Sequence, residues 1–459
     1  MRGGVAVATA LALALAAMAG AAPARAAEQS GGLPIIRDAE TEQLLREYTR
    51  PLLQAAGLAR QNIQVVIINS RTFNAFVMDG RRIFVNSGAL MESDTPNQII
   101  GVMAHEIGHI VGGHLAKLRQ QLAQAQTQMI LATILGAAAL IAGARNPGSA
   151  SGNIGAAAFS LPGEVARRNI LSYVRQQEEA ADRAGVRFLT ATHQSPKGMS
   201  ETFRRFSDQS MFAAHGADPY AQSHPMPADR GAALQVFAQT SPYWDKKDDP
   251  ALQLRHDLMR AKLAGFMDRA DTVARRFPQS ADNLPARYAR AITTYLHGDA
   301  RSAQTQIDQL IQTQPNNPYF HELRGQSLLE SGGAAEAIAP LRRAVQISGG
   351  APLIEIMLGQ ALVASNNPAY ANEAISLLKN ALAREPESPL GFTQLAMAYG
   401  RQGNLAEADL AAAQAAYLRG DSKTARDLAS RAKSRFPTGS PGWVKADDIV
   451  SARPLPGQK

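Results

Sequence analysis

The hydrophobic pattern divides the chain into an apolar leader, a mixed region of strands and helices, and a long helical region. The leader is apolar from Val5 to Met18 and ends in an A-x-A cleavage site at residues 24–26. This pattern is typical of a secretory signal peptide, whereas a membrane anchor needs a longer apolar run of about 20 residues. We therefore predict a cleaved signal peptide at 1–26.

Strand-like runs predict a small sheet early in the mature chain. Ile63–Ile68 is rich in β-branched residues, and Asp79-Gly80 separates two further runs, Asn74–Val77 and Arg82–Val85. Asp-Gly between two such runs is a strong indication of a hairpin. An edge strand can hold an extended peptide by adding it to the sheet. We predict such a substrate strand at Asn74, Ala75 and Phe76.

Capping residues predict that a helix begins near Pro96. Thr95 is suited to the N-cap, Pro96 to the first helical position, and Gln98 to closing a capping box. The apolar residues Ile99–Met103 would bury one face of this helix in a core.

From Pro250 onward the pattern is all-helical and repetitive. Gly298, Gly332 and Asn366 recur at intervals of 34 residues, each beginning a turn between two helices. Small residues follow in phase at Gly325 and Gly359 and at Ala303 and Ala337, and Ala374 and Ala408 are again 34 apart after a three-residue insertion around Pro368. Pro315, Pro386 and Pro437 end repeats, and the last turn is offset by half a repeat. This region resembles a tetratricopeptide array, which stacks helices into a concave surface for a protein partner. An ordinary helical bundle is the alternative.

Composition narrows the chemistry available to the chain. It has 459 residues and no cysteine, which excludes disulfides, thiolate catalysis and cysteine-ligated metal. The formal charge of +8 is spread without a long basic run, so we expect no nucleic-acid partner. An exported, cysteine-free chain suggests the periplasm.

The pentapeptide His105–His109 carries the strongest chemical indication. Its sequence, H-E-I-G-H, is the H-E-x-x-H form of a zinc hydrolase site. On a helix, residues i and i+4 lie about 40° apart, so both imidazoles can reach one metal ion. Glu106 is then the expected general base. Chance occurrence is the alternative, and the capped helix around the motif argues against it.

A catalytic zinc site needs a third protein ligand. His114 resembles the third histidine of the metzincin extension, but that pattern requires His at the position of Leu115. Glu178 and Asp182 match the E-x-x-A-D arrangement of the glutamate-type zincins. We predict one zinc per chain held by His105, His109 and Glu178, with Asp182 orienting a ligand imidazole.

Two further residues are weaker candidates. His224 lies in the proline-rich turn S-H-P-M-P and could stabilise an oxyanion, position substrate, or occupy the open metal position and keep the enzyme latent. Arg230 could stabilise developing negative charge. A surface role is the alternative for both residues.

The apolar segment Met129–Ala144 is too short to span a membrane by itself. Together with the Gly- and Ala-rich sequence up to Gly163, it could form a lid over the site, make peripheral membrane contact, or belong to the core.

Together these motifs are similar to those of the zinc metalloprotease family that includes the prenyl-protein proteases. The resemblance to its exported, repeat-bearing members covers nearly the whole mature chain. We accordingly predict an α+β zincin-like metalloprotease domain at 33–240, mostly helical with a small β-sheet. An all-α tetratricopeptide repeat solenoid would follow at 250–437, with a C-terminal tail at 438–459.

The resemblance implies a periplasmic endopeptidase that degrades misfolded or stalled outer-membrane proteins and assists their assembly, with possible chaperone activity. It also implies that the repeats contact the outer-membrane assembly machinery. The alternative is a non-proteolytic periplasmic chaperone or scaffold, although the intact Glu106 argues for catalysis because a structural zinc site does not need that carboxylate.

Overall fold

The computed structural model describes residues 33–124, 126, 151–212, 224–225 and 227–452, with backbone alone for 151–169 and 209–212. Residues Pro34–Lys459 form one compact unit. The predicted signal peptide and the Met129–Ala144 segment lie outside the described residues, whereas residues 151–163 are helical. No helix within the described ranges has the length and apolar character needed to cross a membrane.

A four-stranded sheet lies beside the H-E-x-x-H helix. Its strands are β1 (Ile35–Ile36), β2 (Gln64–Ile68), β3 (Ala75–Val77) and β4 (Arg82–Asn86), in the order β1-β2-β4-β3. β2 and β4 are parallel, and the other two pairs are antiparallel. The predicted hairpin is therefore present, and β3 lies at one end of the sheet.

Six helices of the first part of the fold have defined limits, and residues 114–124 are helical as well. The six are α1 (Ala39–Ala55), α2 (Ser87–Glu92), α3 (Pro96–Gly112), α4 (Ser151–Ala191), α5 (Lys197–Phe212) and α6 (Ala228–Gln239). The inward face of α3 is apolar and fully buried at Ile99, Val102 and Ile107, where it joins the core formed with β4 and α5. The pentapeptide His105–His109 thus lies on a helix that is packed into the core.

The start of α3 differs in detail from the predicted capping box. Thr95 is the N-cap residue, as predicted, but its side chain makes no capping hydrogen bond. The side chain of Gln98 instead accepts a hydrogen bond of 2.8 Å from the backbone N–H of Asp94, one residue earlier. Proline at the first helical position still defines the start, because it has no N–H that needs a partner.

Helices continue to the end of the described chain. They are α7 (Pro250–Met267), α8 (Ala270–Arg276), α9 (Leu284–His297), α10 (Ala300–Thr313), α11 (Pro318–Glu330), α12 (Ala334–Ile347), α13 (Pro352–Ala364), α14 (Ala371–Arg384), α15 (Pro389–Arg401), α16 (Leu405–Leu418), α17 (Ser422–Arg435) and α18 (Pro441–Ser451). Consecutive helices from α9 onward pack against each other, and the predicted all-helical region is confirmed.

Small residues set the spacing between paired helices in this array. A Cβ atom on Gly325 would lie 2.3 Å from Cγ of Leu341, and one on Gly359 would lie 2.6 Å from Cδ2 of Leu378. Both distances are far below van der Waals contact, so the in-phase glycines are needed for close packing. Gly332 and Asn366 have φ values of +86° and +55°, which are left-handed turn conformations.

The predicted C-terminal tail at 438–459 includes a further helix. Residues Pro441–Ser451 form helix α18, which Ser440 caps by accepting a hydrogen bond from the N–H of Trp443. Ala446 is fully buried against α16 and α17. The apolar residues Trp443, Ala446 and Ile449 recur at helical spacing, so the array continues beyond Pro437.

Helix α7 joins the two parts of the chain. Met259 and Leu263 belong to the core of the first part, whereas Leu258 on the same helix packs in a cluster with Tyr288 of α9. His256 is fully buried and donates from Nε2 to the carbonyl of Ser93 at 2.7 Å. The predicted domain limits stay a prediction, because Pro34–Lys459 is one compact unit.

Candidate metal centre

The site forms where α3 and α4 cross at very short distance. A Cβ atom on Gly108 would lie 2.8 Å from the carbonyl oxygen of Ala181, and one on Gly185 would lie 3.2 Å from the backbone nitrogen of His105. Glycine at these two positions therefore permits the approach, assisted by the small side chain of Ala181. This contact brings the two histidines of α3 to the acidic face of α4.

Four side chains converge at the crossing: His105, His109, Glu178 and His224 each offer one ligand atom, and these atoms all lie within 4.8 Å of one another. Nε2 of His105 lies 2.9 Å from Nε2 of His109 and 3.4 Å from Oε2 of Glu178. Nε2 of His109 lies 3.5 Å from Oε1 of Glu178. These residues form a candidate metal site.

The donor set fits a zinc ion. Tetrahedral zinc with bonds of about 2.1 Å separates its ligand atoms by about 3.4 Å, close to the separations between these donors. Glu106 is fully buried beside them, and neither of its carboxylate oxygens has a hydrogen-bond partner among the described residues. A buried carboxylate without a protein donor is suited to a bound water molecule.

Asp182 and Arg230 form a buried network behind the ligands. Oδ1 of Asp182 lies 2.9 Å from Nδ1 of His105, on the side of the ring opposite the metal-facing nitrogen. Arg230 donates to both oxygens of Asp182, at 2.7 and 2.8 Å, and to the carbonyl of Pro225 at 2.8 Å. Its Nη1 also lies 3.0 Å from Oε2 of Glu178.

The contacts of Arg230 differ from the predicted stabilisation of charge on a substrate. Its guanidinium is only 3% exposed and is occupied by two carboxylates of the protein. Because both carboxylates belong to α4, these contacts support a structural role in fixing that helix. The sequence did not indicate this pairing, since Asp182 and Arg230 are far apart along the chain.

Burial and charge separate the pKa values of the three acidic side chains. Burial raises the pKa of Glu106, and the imidazoles of His224 and His105 offset only part of this effect. Burial also opposes ionisation of Glu178, but His224 and His105 bring its pKa well below the usual value. Arg230 and His105 likewise lower the pKa of Asp182 against the effect of burial. Glu178 and Asp182 are therefore anionic.

The two histidines of the pentapeptide also differ in pKa. Burial lowers the pKa of His109 well below the usual value, and the neighbouring His105 adds to this shift. Burial would lower the pKa of His105 too, but hydrogen bonds to Asp182 and Glu178 raise it to about 9. A neutral His109 offers the lone pair that a metal ligand requires.

His224 lies in the centre of the site. Its Nδ1 is 3.3 Å from Nε2 of His105 and 3.1 Å from Oε2 of Glu178, and its Nε2 is 3.5 Å from Oε1 of Glu106. The structure thus brings His224 together with both histidines of the pentapeptide. The side chain of His224 is only 8% exposed to solvent.

Phe203 is a site residue that sequence reasoning missed. This buried ring on α5 packs edge-on against His105, with centroids 5.1 Å apart at 89°. The guanidinium carbon of Arg230 lies 5.8 Å from the same ring centroid. A phenylalanine in an amphipathic helix has no feature that distinguishes it from an ordinary core residue, so the sequence offered no indication.

The predicted substrate strand lies at the edge of the sheet. Ala75 and Phe76 belong to β3, and the carbonyl of Asn74 accepts a hydrogen bond of 2.9 Å from the N–H of Asn86. Phe76 stacks on Phe84 of β4, with ring centroids 5.3 Å apart. β3 also contacts α3, so this edge adjoins the helix that carries the pentapeptide.

Comparisons with known proteins agree with this geometry. Residues 39–238 match peptidase family M48. The chain is 26% identical over 411 residues to the beta-barrel assembly-enhancing protease of Yersinia pestis, covering 89% of this chain and 82% of that protein. It is 24% identical over 426 residues to the protein of that name in Escherichia coli (strain K12), with the same coverage.

A shorter relative matches the catalytic part. Metalloprotease LoiP of Escherichia coli (strain K12) is 29% identical over 190 residues, which are 39% of this chain and 69% of that protein. The family match and the candidate metal site concern the same part of the molecule. The chain is therefore a metalloprotease, and its residues 39–238 are similar to peptidase family M48.

Proposed function

We propose that the chain is a zinc-dependent endopeptidase of the periplasm that acts in quality control and assembly of outer-membrane proteins. One observation carries the enzymatic part of this proposal. The donor atoms of His105, His109 and Glu178 converge beside Glu106, whose buried oxygens have no hydrogen-bond partner among the described residues. One zinc ion per chain would be held by the three converging side chains.

A zinc ion bound there would polarise the scissile carbonyl and lower the pKa of the attacking water. Glu106 accepts the proton of this water and then delivers it to the leaving amine. The raised pKa of Glu106 favours the first of these proton transfers, because a more basic carboxylate accepts the proton of the water more readily.

Other residues fix the geometry of this reaction. Asp182 lies 2.9 Å from Nδ1 of His105 and would accept a hydrogen bond from it, which leaves Nε2 of the ring available as a ligand atom. Arg230 holds Asp182 through two hydrogen bonds. β3 is the last strand of the sheet, and its stretch at Asn74, Ala75 and Phe76 would bind the substrate backbone as an added strand.

We further propose that the conformation described above is a latent one. A catalytic zinc site keeps one position for water, whereas four protein ligands are typical of a structural site. Nδ1 of His224 lies among the other three donors and would take the fourth position. His224 must therefore move away before water and substrate can enter.

The proposed location and substrates rest on the relatives. Two of them are named beta-barrel assembly-enhancing proteases, and the present chain covers 82% of their length. Outer-membrane proteins are assembled from the periplasmic side, which agrees with the predicted signal peptide at 1–26. Misfolded or stalled outer-membrane proteins are thus the proposed substrates.

We propose that the helical array is a tetratricopeptide solenoid that contacts the outer-membrane assembly machinery. Its repeat length, small residues and turns support this assignment. A cavity of about 760 Å³ lies between the N-terminal segment and helices α7, α11 and α13. Its wall combines apolar residues such as Leu323 and Ile356 with the charged Lys262 and Glu322, a mixture suited to a protein segment.

The decisive experiment compares the wild-type chain with the Glu106→Gln variant. Both proteins should contain one zinc ion per chain, but the variant should cleave a misfolded outer-membrane protein about 10²–10⁴-fold more slowly, because it lacks the general base. A zinc chelator should abolish wild-type cleavage. Glu179→Gln is the matched control, since Glu179 is exposed on the same helix as Glu178.

Undiminished cleavage by Glu106→Gln would refute the proposed mechanism. The same variant also tests the scaffold alternative in cells that lack the protein. If Glu106→Gln corrects an outer-membrane assembly defect as well as the wild type does, the chain acts as a scaffold through its helical array and proteolysis is not required. Failure of the variant, with success of Glu179→Gln, supports the protease.

A further inference from the structure

Helix α3 ends at Gly112, three residues after the pentapeptide, and the turn that ends it returns a histidine to the site. Gly113 adopts φ = +62°, and its N–H donates to the carbonyls of His109 and Ile110. On a continuing helix, His114 would point about 140° away from His109. Because the left-handed residue redirects the chain, His114 instead lies against the outer edge of the His109 ring.

The contact between these two rings is short and buried. Nδ1 of His114 lies 2.9 Å from Nδ1 of His109, and the ring planes are nearly perpendicular at 84°. His114 is only 7% exposed, although the residues that follow it lie at the surface. A Cβ atom on Gly112 would lie 2.0 Å from Nε2 of His114, so glycine is required at 112 for this placement.

The opposite nitrogen of His109 faces the candidate metal site. Its Nε2 lies 2.9 Å from Nε2 of His105 and 3.5 Å from Oε1 of Glu178. A neutral imidazole that ligates a metal through Nε2 carries its proton on Nδ1, and this N–H needs an acceptor. At His105 the acceptor is Asp182. At His109 the group within hydrogen-bond distance of Nδ1 is the imidazole of His114.

We propose that His114 is a positioning residue of the metal site: its Nδ1 accepts a hydrogen bond from Nδ1–H of His109 and aims Nε2 of His109 at the metal. This inference rests on the proposed zinc-dependent function. It gives the two ligand histidines different supports, a carboxylate for His105 and an imidazole for His109. Gly112 and Gly113 are part of this arrangement, because they allow His114 to reach the ring of His109.

Two substitutions separate hydrogen bonding from packing. His114→Asn keeps an acceptor, because Oδ1 of asparagine is bonded to Cγ as Nδ1 of histidine is. His114→Leu keeps an apolar side chain of comparable size but removes the acceptor. Zinc affinity is measured by competition with a chromophoric chelator, which does not require cleavage. We expect His114→Leu to bind zinc about 10–100-fold more weakly and His114→Asn to retain most of the affinity.

Equal affinity of His114→Leu and wild type would overturn the inference, and so would equal weakening by the two substitutions. The unfolding temperatures of the zinc-free proteins show whether a variant has lost its fold. A wild-type chain that binds no zinc would refute the proposed function itself. A wild-type chain that binds zinc, with an unaffected His114→Leu variant, would refute this inference alone.

A spectroscopic measurement on the wild-type chain does not depend on any variant folding. In the zinc-loaded protein with ¹⁵N-labelled histidine, His109 should show a proton on Nδ1 that exchanges slowly with water. An unprotonated Nδ1 of His109 would overturn the inference. As a second perturbation, Gly112→Ala should displace the His114 ring and weaken zinc binding. The same change should add nothing in the His114→Leu background.

Discussion

Gly108 lies directly against the backbone of Ala181, so a Cβ atom at position 108 would be 2.8 Å from the carbonyl oxygen of that residue. The glycine of the pentapeptide therefore sets the distance between α3 and α4. The histidines and Glu178 are on opposite sides of this contact, which makes the metal site sensitive to the spacing of the two helices.

We predict that Gly108→Ala destabilises the chain by roughly 1–3 kcal/mol, the usual cost of overpacking. It should also weaken zinc binding, because Glu178 moves away from His105 and His109. Urea unfolding and chelator competition measure the two effects. Gly400→Ala is the control, since a Cβ atom there meets nothing within 4 Å in the described structure. Unchanged stability and zinc affinity in Gly108→Ala would contradict the prediction.

Asp182→Asn tests the buried network behind the ligands. Asparagine keeps the size of the side chain but removes the charge that Arg230 faces in two hydrogen bonds. We expect a loss of stability of about 3–5 kcal/mol, because a buried guanidinium is left with one fewer carboxylate. Zinc affinity should fall about 10–100-fold through misorientation of His105.

The control for this substitution is Asp79→Asn, which removes an ion pair with Arg82 at an exposed turn. Such surface pairs contribute little, so neither urea unfolding nor zinc affinity should change measurably. Equal effects of the two substitutions would argue against a special role for Asp182.

His224→Ala tests the proposed latency. If His224 takes the position needed by water, its removal should increase kcat/KM for peptide cleavage severalfold without reducing zinc content. His297→Ala is the control, because His297 is exposed at the end of α9. A decrease in kcat with normal zinc content would instead favour direct participation of His224 in catalysis, as a group that stabilises the oxyanion or positions substrate.

A second buried cluster predicts how stability depends on pH. Lys262 lies 2.5 Å from Asp38, 3.5 Å from Glu40 and 3.7 Å from Glu322. Burial raises the pKa values of Glu40 and Glu322 to about 7, and attraction to Lys262 offsets only part of this effect. The folded chain thus retains protons that the unfolded chain releases between the usual carboxyl pKa of 4.5 and about 7.

The contribution of these two groups to stability is largest below pH 4.5 and is lost as the pH rises to about 7. We predict that Glu322→Gln flattens this dependence, raising stability near pH 8 by roughly 1–3 kcal/mol relative to wild type. Urea unfolding at about pH 5 and about pH 8 measures the effect. The exposed Glu387→Gln should retain the wild-type profile; a parallel profile for Glu322→Gln would refute the assignment.

Local patterns predicted the parts of the molecule that depend on local geometry. The spacing of His105 and His109 places both rings on one face of α3, and the spacing of Glu178 and Asp182 does the same on α4. Pro96 marked the start of α3, and Asp79-Gly80 marked the hairpin. In each case the physical cause lies within a few residues of the feature.

The remaining features depend on contacts between distant segments or on one backbone angle. The pairing of Arg230 with Asp182 and the packing of Phe203 on His105 require the tertiary fold. His114 lies beside His109 because Gly113 has a left-handed conformation. A projection of the sequence at about 100° per residue assumes a continuous helix and therefore places His114 on another face. Helix α18 lies beyond Pro437, the last proline that ends a repeat, so the repeat pattern does not predict it.

Helix α7 packs into the cores of both parts of the chain, and this limits where the protein can be cut into fragments. A fragment that stops at the predicted limit of residue 240 would lack Met259 and Leu263, which fill the catalytic part's own core. It would also leave the buried hydroxyl of Tyr48 without its partner, Nδ1 of His256, which lies 3.0 Å away. A protease fragment that ends at residue 240 would therefore expose apolar surface and aggregate. A fragment that extends through Met267 would include all of α7 and keep this core covered.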